Sequence, residues 1–325
     1  MTRLPPALVL AAGLGTRLRP LTHTRAKPAV PIAGKALIVR ILEWLARQEI
    51  TNVVINLHHA PETITKEVGT GERLGLRVRY SWEPILLGSA GGPRHALTLL
   101  GPRFFIVNGD TLTDLSLRKL LVRHESNNAD VSLAVTDHKE PQKYGGIRVD
   151  ENSHVIGFSP PGDISALHFL GVQLTEASVF SGLPDREPAS TIGGIYDQLI
   201  DRKHNSIHAH RFKAPFLEMS TPEDYIAASF SIALHEQVPV SAMSESTQIH
   251  PTAILERTIV WDRVQIGANC RLHECVVTDD VVLPAGTASK GRLFITSCHS
   301  LTSHKSQRVG NAVSFPINTR NNTRF

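Results

Sequence analysis

Between Leu10 and Pro28 the chain reads LAAGLGTRLRPLTHTRAKP. An apolar run, Ala7–Ala11, passes straight into a loop that combines glycines with arginines and a lysine. Gly13 and Gly15 let the backbone approach a ligand and turn N–H groups toward anions. Arg17 can form two parallel hydrogen bonds to phosphate oxygens, and Lys27 adds a compact positive charge. The pattern is neither GxGxxG nor GxxxxGK[ST], which argues against the dinucleotide and P-loop phosphate sites. A second apolar run, Phe104–Val107, ends in Asn108-Gly109-Asp110 and so leaves a carboxylate at the end of a strand. Asp114 instead precedes the helical pattern Leu115–Glu125 and reads as a capping residue.

These groups need a scaffold, and the first part of the chain supplies one by alternating two periodicities. Leu37, Ile38, Ile41, Leu42 and Leu45 predict an amphipathic helix. Strands are expected at Asn52–Asn56, Leu76–Tyr80 and Asp130–Val135, and a short helix at Gly92–Leu100. Strand–helix–strand order implies right-handed crossovers and an α/β, mostly parallel sheet, with ligands beyond the carboxyl ends of its strands. Next, Tyr144–Val149 and His154–Phe158 predict a hairpin and Leu167–Leu174 a further strand. Thr221-Pro222-Glu223-Asp224 predicts a helix start, with Pro at the first position and acids in the first turn. The expected domain is residues 1–236, with 237–248 as a linker.

From Ile249 the sequence repeats. Ile254, Val260, Ile266 and Leu272 recur every six residues, as do Val264, Cys270, Val276 and Val282 in a register two positions earlier. A six-residue repeat with paired inward positions predicts a parallel β-helix over 249–290, with about five repeats between Ile249 and Gly286. Residues 291–325, rich in Ser, Thr and Asn, are expected to be a poorly ordered tail.

Composition limits the partners. Lys and Arg number 34 against 30 Asp and Glu, a formal charge of +4. No run of five basic residues occurs, which argues against nucleic acid. The longest apolar stretch, near Ala7 to Gly15, is about half the roughly 20 residues of a membrane helix, so no membrane partner is expected. It has some likeness to a signal-peptide core, but Pro5 and Pro6 before it and the glycine-arginine loop after it favour a buried strand. Cys270, Cys275 and Cys298 form no CxxC pair and cannot all pair within one chain, which points to a reducing cytoplasm. His204, His208 and His210 are close enough in sequence to gather a metal, yet solvated surface histidines are the expectation.

The run G-L-G-T-R-L-R-P-L-T followed by K-P resembles the signature of the sugar-phosphate nucleotidyltransferases, and the mannose-1-phosphate guanylyltransferases in particular where a C-terminal left-handed β-helix follows. The likeness runs from about residue 7 to 286. It implies a Rossmann-like fold and transfer of a nucleoside monophosphate from an NTP to a sugar 1-phosphate, with release of pyrophosphate. It also implies roles for individual residues. The loop Gly13-Leu14-Gly15-Thr16-Arg17 would hold the triphosphate, Leu10, Ala11 and Ala12 would also bind the nucleotide, and Lys27 would neutralise charge near the α-phosphate and pyrophosphate. Leu87-Gly88-Ser89-Ala90-Gly91-Gly92 resembles the turn that meets the nucleoside, with Glu83 upstream at a base-contacting position; a tight turn before a helix explains these glycines as well. Asp110 would bind Mg²⁺, which accepts one or two carboxylates plus substrate phosphates. Tyr144 and Gly145 in Tyr144-Gly145-Gly146, and Gly171, would face the sugar, although hairpin or packing roles fit them equally.

Two departures stand out. Phe158-Ser159-Pro160-Pro161-Gly162 occupies the place of F-x-E-K-P, so the usual Glu and Lys are absent. Arg148, Lys143 or Arg211 would then have to meet the sugar phosphate. Phe216-Leu217-Glu218-Met219-Ser220-Thr221-Pro222 stands for W-x-D-[IV]-G-T-P, so Glu218 would be the second metal ligand on a longer arm. The resemblance favours GTP and mannose 1-phosphate. Heptose, glucose or N-acetylmuramate 1-phosphate, and a regulatory homologue that binds an NDP-sugar without turnover, remain open. An acyltransferase role for the repeat is disfavoured by its short length. The β-helix is expected to serve packing or homo-oligomer formation.

Overall fold

Ala7–Leu10 (β1) carries no polar side chain, as a strand buried on both faces requires. It lies in parallel between Asn52–Leu57 (β2) and Arg103–Asn108 (β4), and β2 pairs in parallel with Arg77–Trp82 (β3). The computed structural model describes residues 3–203, 205–241, 246–296 and 306–317. Contacts divide the chain into two compact units. One comprises 1–14 and 38–218, the other 15–37 and everything from 219 onward. This division differs from the expected 1–236 domain, because the phosphate-loop segment clusters with the C-terminal unit.

In the first unit, Leu37–Arg47 (α1), Pro61–Val68 (α2) and Gly88–Ala96 (α3) connect the parallel strands. Thr111–Thr113 (β5) and Leu117–Asn127 (α4) lead to Val131–Asp137 (β6). The hairpin Gly146–Val149 (β7) and Val155–Ser159 (β8) is antiparallel, as expected. Leu167–Glu176 (β9) runs antiparallel to both β4 and β6 and joins the two halves of the sheet. Tyr196–Arg202 (α5) precedes Ile207–Arg211 (β10), which pairs in parallel with β6. Phe216–Glu218 (β11) pairs antiparallel with β5. The core draws Leu8, Val54, Phe104, Ile106, Leu133, Phe180 and Ile207 into one cluster. Each such side chain contributes about 1.5–3 kcal/mol by leaving water.

The helix expected at Gly92–Leu100 begins four residues earlier, at Gly88. Tertiary packing overrides glycine's low helix propensity here. A Cβ at Gly91 would stand 2.5 Å from the Glu187 carbonyl, and one at Gly92 would stand 2.7 Å from the Glu83 carboxylate. The buried His208 and His210 correct the surface expectation; His204 lies outside the described residues.

In the second unit, Pro222–Glu236 (α6) opens with a full capping box: the Thr221 hydroxyl accepts from the Asp224 N–H while the Asp224 carboxylate accepts from the Thr221 N–H. The β-helix follows, but its ladder steps by 17 residues rather than 18. Gln248 pairs with Gln265 and then Val282, and Ile254 with Arg271 and then Ala288. One side of each coil is therefore five residues long, and the strict six-residue reading slips there. Ile254 and Val282 are exposed, whereas Val281 and Cys275 enter the core and Leu255 packs against it. Corner residues hold positive φ, among them Arg257, Arg263, Asn269, Glu274 and Asp280. The stretch expected as a tail contains Arg292–Thr296, stacked in parallel on Val276–Val277, and then antiparallel Ala312–Pro316 and Gln307–Val309.

Candidate active site

The carboxylates come from neighbouring strand ends. β4 continues past Asn108, where the Gly109 N–H donates to the Leu10 carbonyl at 2.9 Å, and Asp110 follows at the carboxyl edge of the sheet. β5 then pairs with β11 so that Glu218 stands opposite Thr111. The Thr111 hydroxyl donates to Asp110 Oδ1 at 3.3 Å. Both carboxylates are half-buried. Their hard oxygens fit a Mg²⁺ ion that completes its shell with substrate phosphates and water. Among the described residues no group of three or more His, Cys, Asp or Glu gathers to hold a metal unaided.

Gly171 belongs to this edge for a packing reason. Its φ is +70°, and a Cβ there would lie 2.7 Å from the Thr111 hydroxyl oxygen and 3.3 Å from the Asn108 Cβ. It interrupts the register of β9 and lets that strand pass close over the Asn108–Thr111 turn. The sugar-facing role inferred for Gly171 is therefore matched by a structural one.

Glu83 departs from the sequence expectation. It is fully buried. Its Oε1 accepts from the Asn56 amide at 2.7 Å and its Oε2 from the Leu87 N–H at 2.9 Å. Asn56 Oδ1 in turn accepts from the Ala11 N–H at 2.6 Å. Glu83 thus has both oxygens committed to the scaffold, and it ties the end of β1 to the turn at Leu87. In that turn Gly88 adopts φ +79°, where a Cβ would meet the Ala189 carbonyl at 2.7 Å. Gly88 and Ser89 are exposed, and the Ser89 hydroxyl accepts from the Thr191 N–H at 2.9 Å.

An aromatic cluster surrounds the expected sugar end. His168 packs edge-on to His138 at 4.8 Å and to Tyr144 at 5.4 Å, and lies 4.9 Å from Phe216. Burial, reinforced by His138, pushes the His168 imidazole down to about 4. Its buried Nε2 has no hydrogen-bond partner and lies 3.8 Å from Glu218 Oε2. Gly145 lies against Ser159, where a Cβ would stand 2.6 Å from the carbonyl oxygen. The cation-poor Ser159-Pro160 segment is thereby brought beside Tyr144-Gly145. Of the three cations expected to replace the missing lysine, Lys143 sits 4.9 Å over the Tyr144 ring. Arg211 is ion-paired with Asp137, and Arg148 lies on the hairpin beside Gly157.

The second unit holds the phosphate-loop segment. Gly15 is in the left-handed region, and a Cβ there would meet Thr22 Cγ2 at 2.8 Å and Lys27 Cβ at 3.1 Å. The Leu18 N–H and the Thr22 hydroxyl both donate to the Gly15 carbonyl, which folds the loop on itself. Thr16 and Arg17 are exposed and Lys27 is half-buried. In the first unit Leu10 is half-buried, Ala11 and Ala12 are buried, and Gly13 is exposed with open space where a Cβ would stand.

Arg25, two residues before Lys27, was not singled out by sequence. Its guanidinium donates through Nε and Nη2 to Asp279 at 2.6 and 2.8 Å, and through Nη2 to Asp262 at 2.5 Å. It also lies 5.4 Å over the Trp261 ring. Burial works against its charge, but the two aspartates outweigh that and raise its pKa. The recurrence of Asp262 and Asp279 one coil apart was the available signal.

Known proteins resemble this chain over most of its length. Residues 6–166 match the family described as Nucleotidyl transferase, and 220–289 match GlmU-like, C-terminal hexapeptide. A mannose-1-phosphate guanylyltransferase of Mycobacterium tuberculosis is 30% identical over 296 residues, covering 86% of this chain and 81% of that protein. A D-glycero-alpha-D-manno-heptose 1-phosphate guanylyltransferase of Campylobacter jejuni is 29% identical over 67% of this chain and 96% of its own length. The crystal structure of HddC from Yersinia pseudotuberculosis superposes with a TM-score of 0.62 at 22% identity, over 70% of this chain and all of that one. The two family matches and the 30% identity across 86% of the chain agree, and the chain belongs to the sugar-phosphate nucleotidyltransferase family, in a mannose-1-phosphate guanylyltransferase-like form with a C-terminal left-handed β-helix.

Proposed function

We propose that this nucleotidyltransferase transfers GMP from GTP to mannose 1-phosphate, giving GDP-mannose and pyrophosphate. The observation that carries the reaction is Glu218 set opposite Thr111 beside Asp110, at the carboxyl edge of the parallel strands. The guanylyltransferase relatives carry the choice of base and sugar.

The sugar-phosphate oxygen is anionic at neutral pH, so it needs no general base to attack the α-phosphorus. Catalysis is then positioning and charge neutralisation of an in-line displacement. Arg17 and Lys27 meet the triphosphate as it passes from Gly13-Leu14-Gly15 toward the leaving pyrophosphate. Gly88 and Ser89 offer backbone and hydroxyl to the nucleoside, and Glu83 holds their turn in place. Tyr144 and Gly145 flank the sugar, with Lys143 near its phosphate. Asp110 and Glu218 would hold Mg²⁺, which when bound supplies charge neutralisation at the α-phosphate.

Cys270 and Cys275 are buried free thiols, which suits the cytoplasm. Among the described residues no helix is long and apolar enough to cross a membrane. The β-helix offers a packing or homo-oligomer surface. A matrix of NTPs against sugar 1-phosphates, scored by Mg²⁺-dependent pyrophosphate release, tests the reading. GTP with mannose 1-phosphate is expected to lead. A heptose 1-phosphate leading instead would overturn the sugar assignment. The missing Glu-Lys pair at Ser159-Pro160 favours one second reading, a regulatory homologue, which would bind the NDP-sugar and release no pyrophosphate.

A further inference from the structure

We propose that Arg25 is a positioning residue through which the β-helix aspartates Asp262 and Asp279 hold the phosphate-binding segment ready for the triphosphate. The inference rests on the reading of Arg17 and Lys27 as phosphate-holding groups.

The geometry carries it. Asp279 takes Arg25 in a two-bond fork, and Asp262, one coil below, takes it from the side. Asp279 Oδ1 also accepts from the Asp262 N–H at 3.1 Å, so the two coil positions act together. Arg25 Nη1 donates to the Ala29 carbonyl at 3.4 Å, and the guanidinium therefore spans the backbone on both sides of Lys27. A second tie lies alongside. The Trp261 indole N–H donates to the Tyr225 hydroxyl at 2.8 Å, and that hydroxyl donates to the Pro31 carbonyl at 2.9 Å. The segment from Arg25 to Pro31 is thus fixed at Arg25 by the coils and at Pro31 by α6, and Arg25 in turn holds Ala29.

A loop that must order itself around a ligand gives up part of its binding energy to lost conformational freedom. A small displacement of a binding group away from the reacting atoms can lower rate by about 100-fold. A planar bidentate arginine suits such a fixture, because its fork defines direction as well as charge. The charge ladder of the β-helix therefore acts on phosphate binding as well as on packing.

The test is calorimetric titration of the full chain with inorganic tripolyphosphate and Mg²⁺, a probe that carries neither base nor sugar. Lys27→Ala is the control. Arg25→Ala leaves the buried Asp279 and the part-exposed Asp262 without their cation and is prone to misfold. Arg25→Lys, and the triple variant Arg25→Met with Asp262→Asn and Asp279→Asn, remove the fork without that imbalance. Both variants are expected to keep the wild-type circular dichroism and to bind tripolyphosphate roughly 10–100-fold more weakly. Arg25→Lys should retain more affinity than the triple variant. In turnover assays kcat should fall while KM for the sugar phosphate stays put. If Lys27→Ala weakens binding and the folded triple variant does not, the Arg25 inference is overturned and the phosphate-site reading stands. If Lys27→Ala leaves binding unchanged, the phosphate-site reading has failed and the Arg25 inference falls with it.

Discussion

Glu218 stands opposite Thr111 across the antiparallel ladder of β5 and β11, one residue beyond Asp110. Backbone pairing, rather than a flexible loop, therefore brings the two carboxylates to neighbouring positions. The longer arm of Glu218 starts from a fixed strand position and still ends beside His168 Nε2, 3.8 Å away.

Replacement of Asp110 by Ala should nearly abolish turnover, with a loss of about 1,000-fold or more. Glu218→Gln should act mainly by raising the Mg²⁺ concentration needed for half-maximal rate. Pyrophosphate release against Mg²⁺ measures both. Wild-type release from the Asp110 variant would remove it from the site.

Gly171→Ala introduces a side chain at φ +70° and 2.7 Å from the Thr111 hydroxyl oxygen. The left-handed conformation alone costs about 1–2 kcal/mol for a non-glycine residue. Melting should fall, and activity should fall with it because Thr111 borders Asp110. A Thr111→Ala partner should restore only part, since it removes the hydroxyl contact but leaves the residue-111 Cβ at 3.0 Å and the backbone strain. Full recovery of the melting temperature in the double variant would contradict this account.

Glu83→Ala should destabilise the protein by about 2–4 kcal/mol, because the Asn56 amide and the Leu87 N–H lose a buried acceptor. The turn at Gly88 would lose its tether, so KM for the nucleotide should rise more than KM for the sugar phosphate. Urea unfolding and initial-rate kinetics separate the two effects. Equal changes in the two KM values would count against a tether specific to the nucleotide turn.

Stability should fall on acidification through buried histidines. Burial, followed by His208, Arg123 and His124, lowers the His210 pKa from 6.5 to about 4. His124 is lowered too, by burial first, despite its bond to Glu176. The unfolded chain then takes up protons that the folded chain refuses. The stabilisation is complete above pH 6.5 and is lost as pH falls toward about 4. By pH 5 the loss traceable to His210 alone is about 2 kcal/mol. Urea titrations at pH 7.5 and pH 5 measure it, and His210→Gln should flatten the difference.

Local signals announced much of this molecule. The run into Gly13, the helix at Leu37, the strand before Asp110 and the Thr221-Pro222 helix start are all short-range patterns, and each stands where its pattern placed it. What escaped depends on distant partners. Glu83 looked like a ligand contact because its burial is decided by Asn56 and Leu87, which spacing does not reveal. The helix at Gly88 begins early because of carbonyls at Glu187 and Ala189. The hexapeptide register slipped because each coil is one residue short of three equal sides, a shortfall visible only when strands are stacked. Arg25 was silent for the same reason, since both its carboxylates lie more than 200 positions away.

The chain passes from one compact unit to the other after Leu14, after Leu37 and after Glu218. Gene fusion joins modules at one seam, and a β-helix attached that way could be exchanged or lost without touching its host. Here the residues after Glu218 share their unit with Gly15–Leu37, so cutting at that seam would strip an N-terminal segment of its packing partners. In this chain the coils and the phosphate loop form one interlaced piece, so truncation after Glu218 should leave Gly15–Leu37 without the partners that pack it.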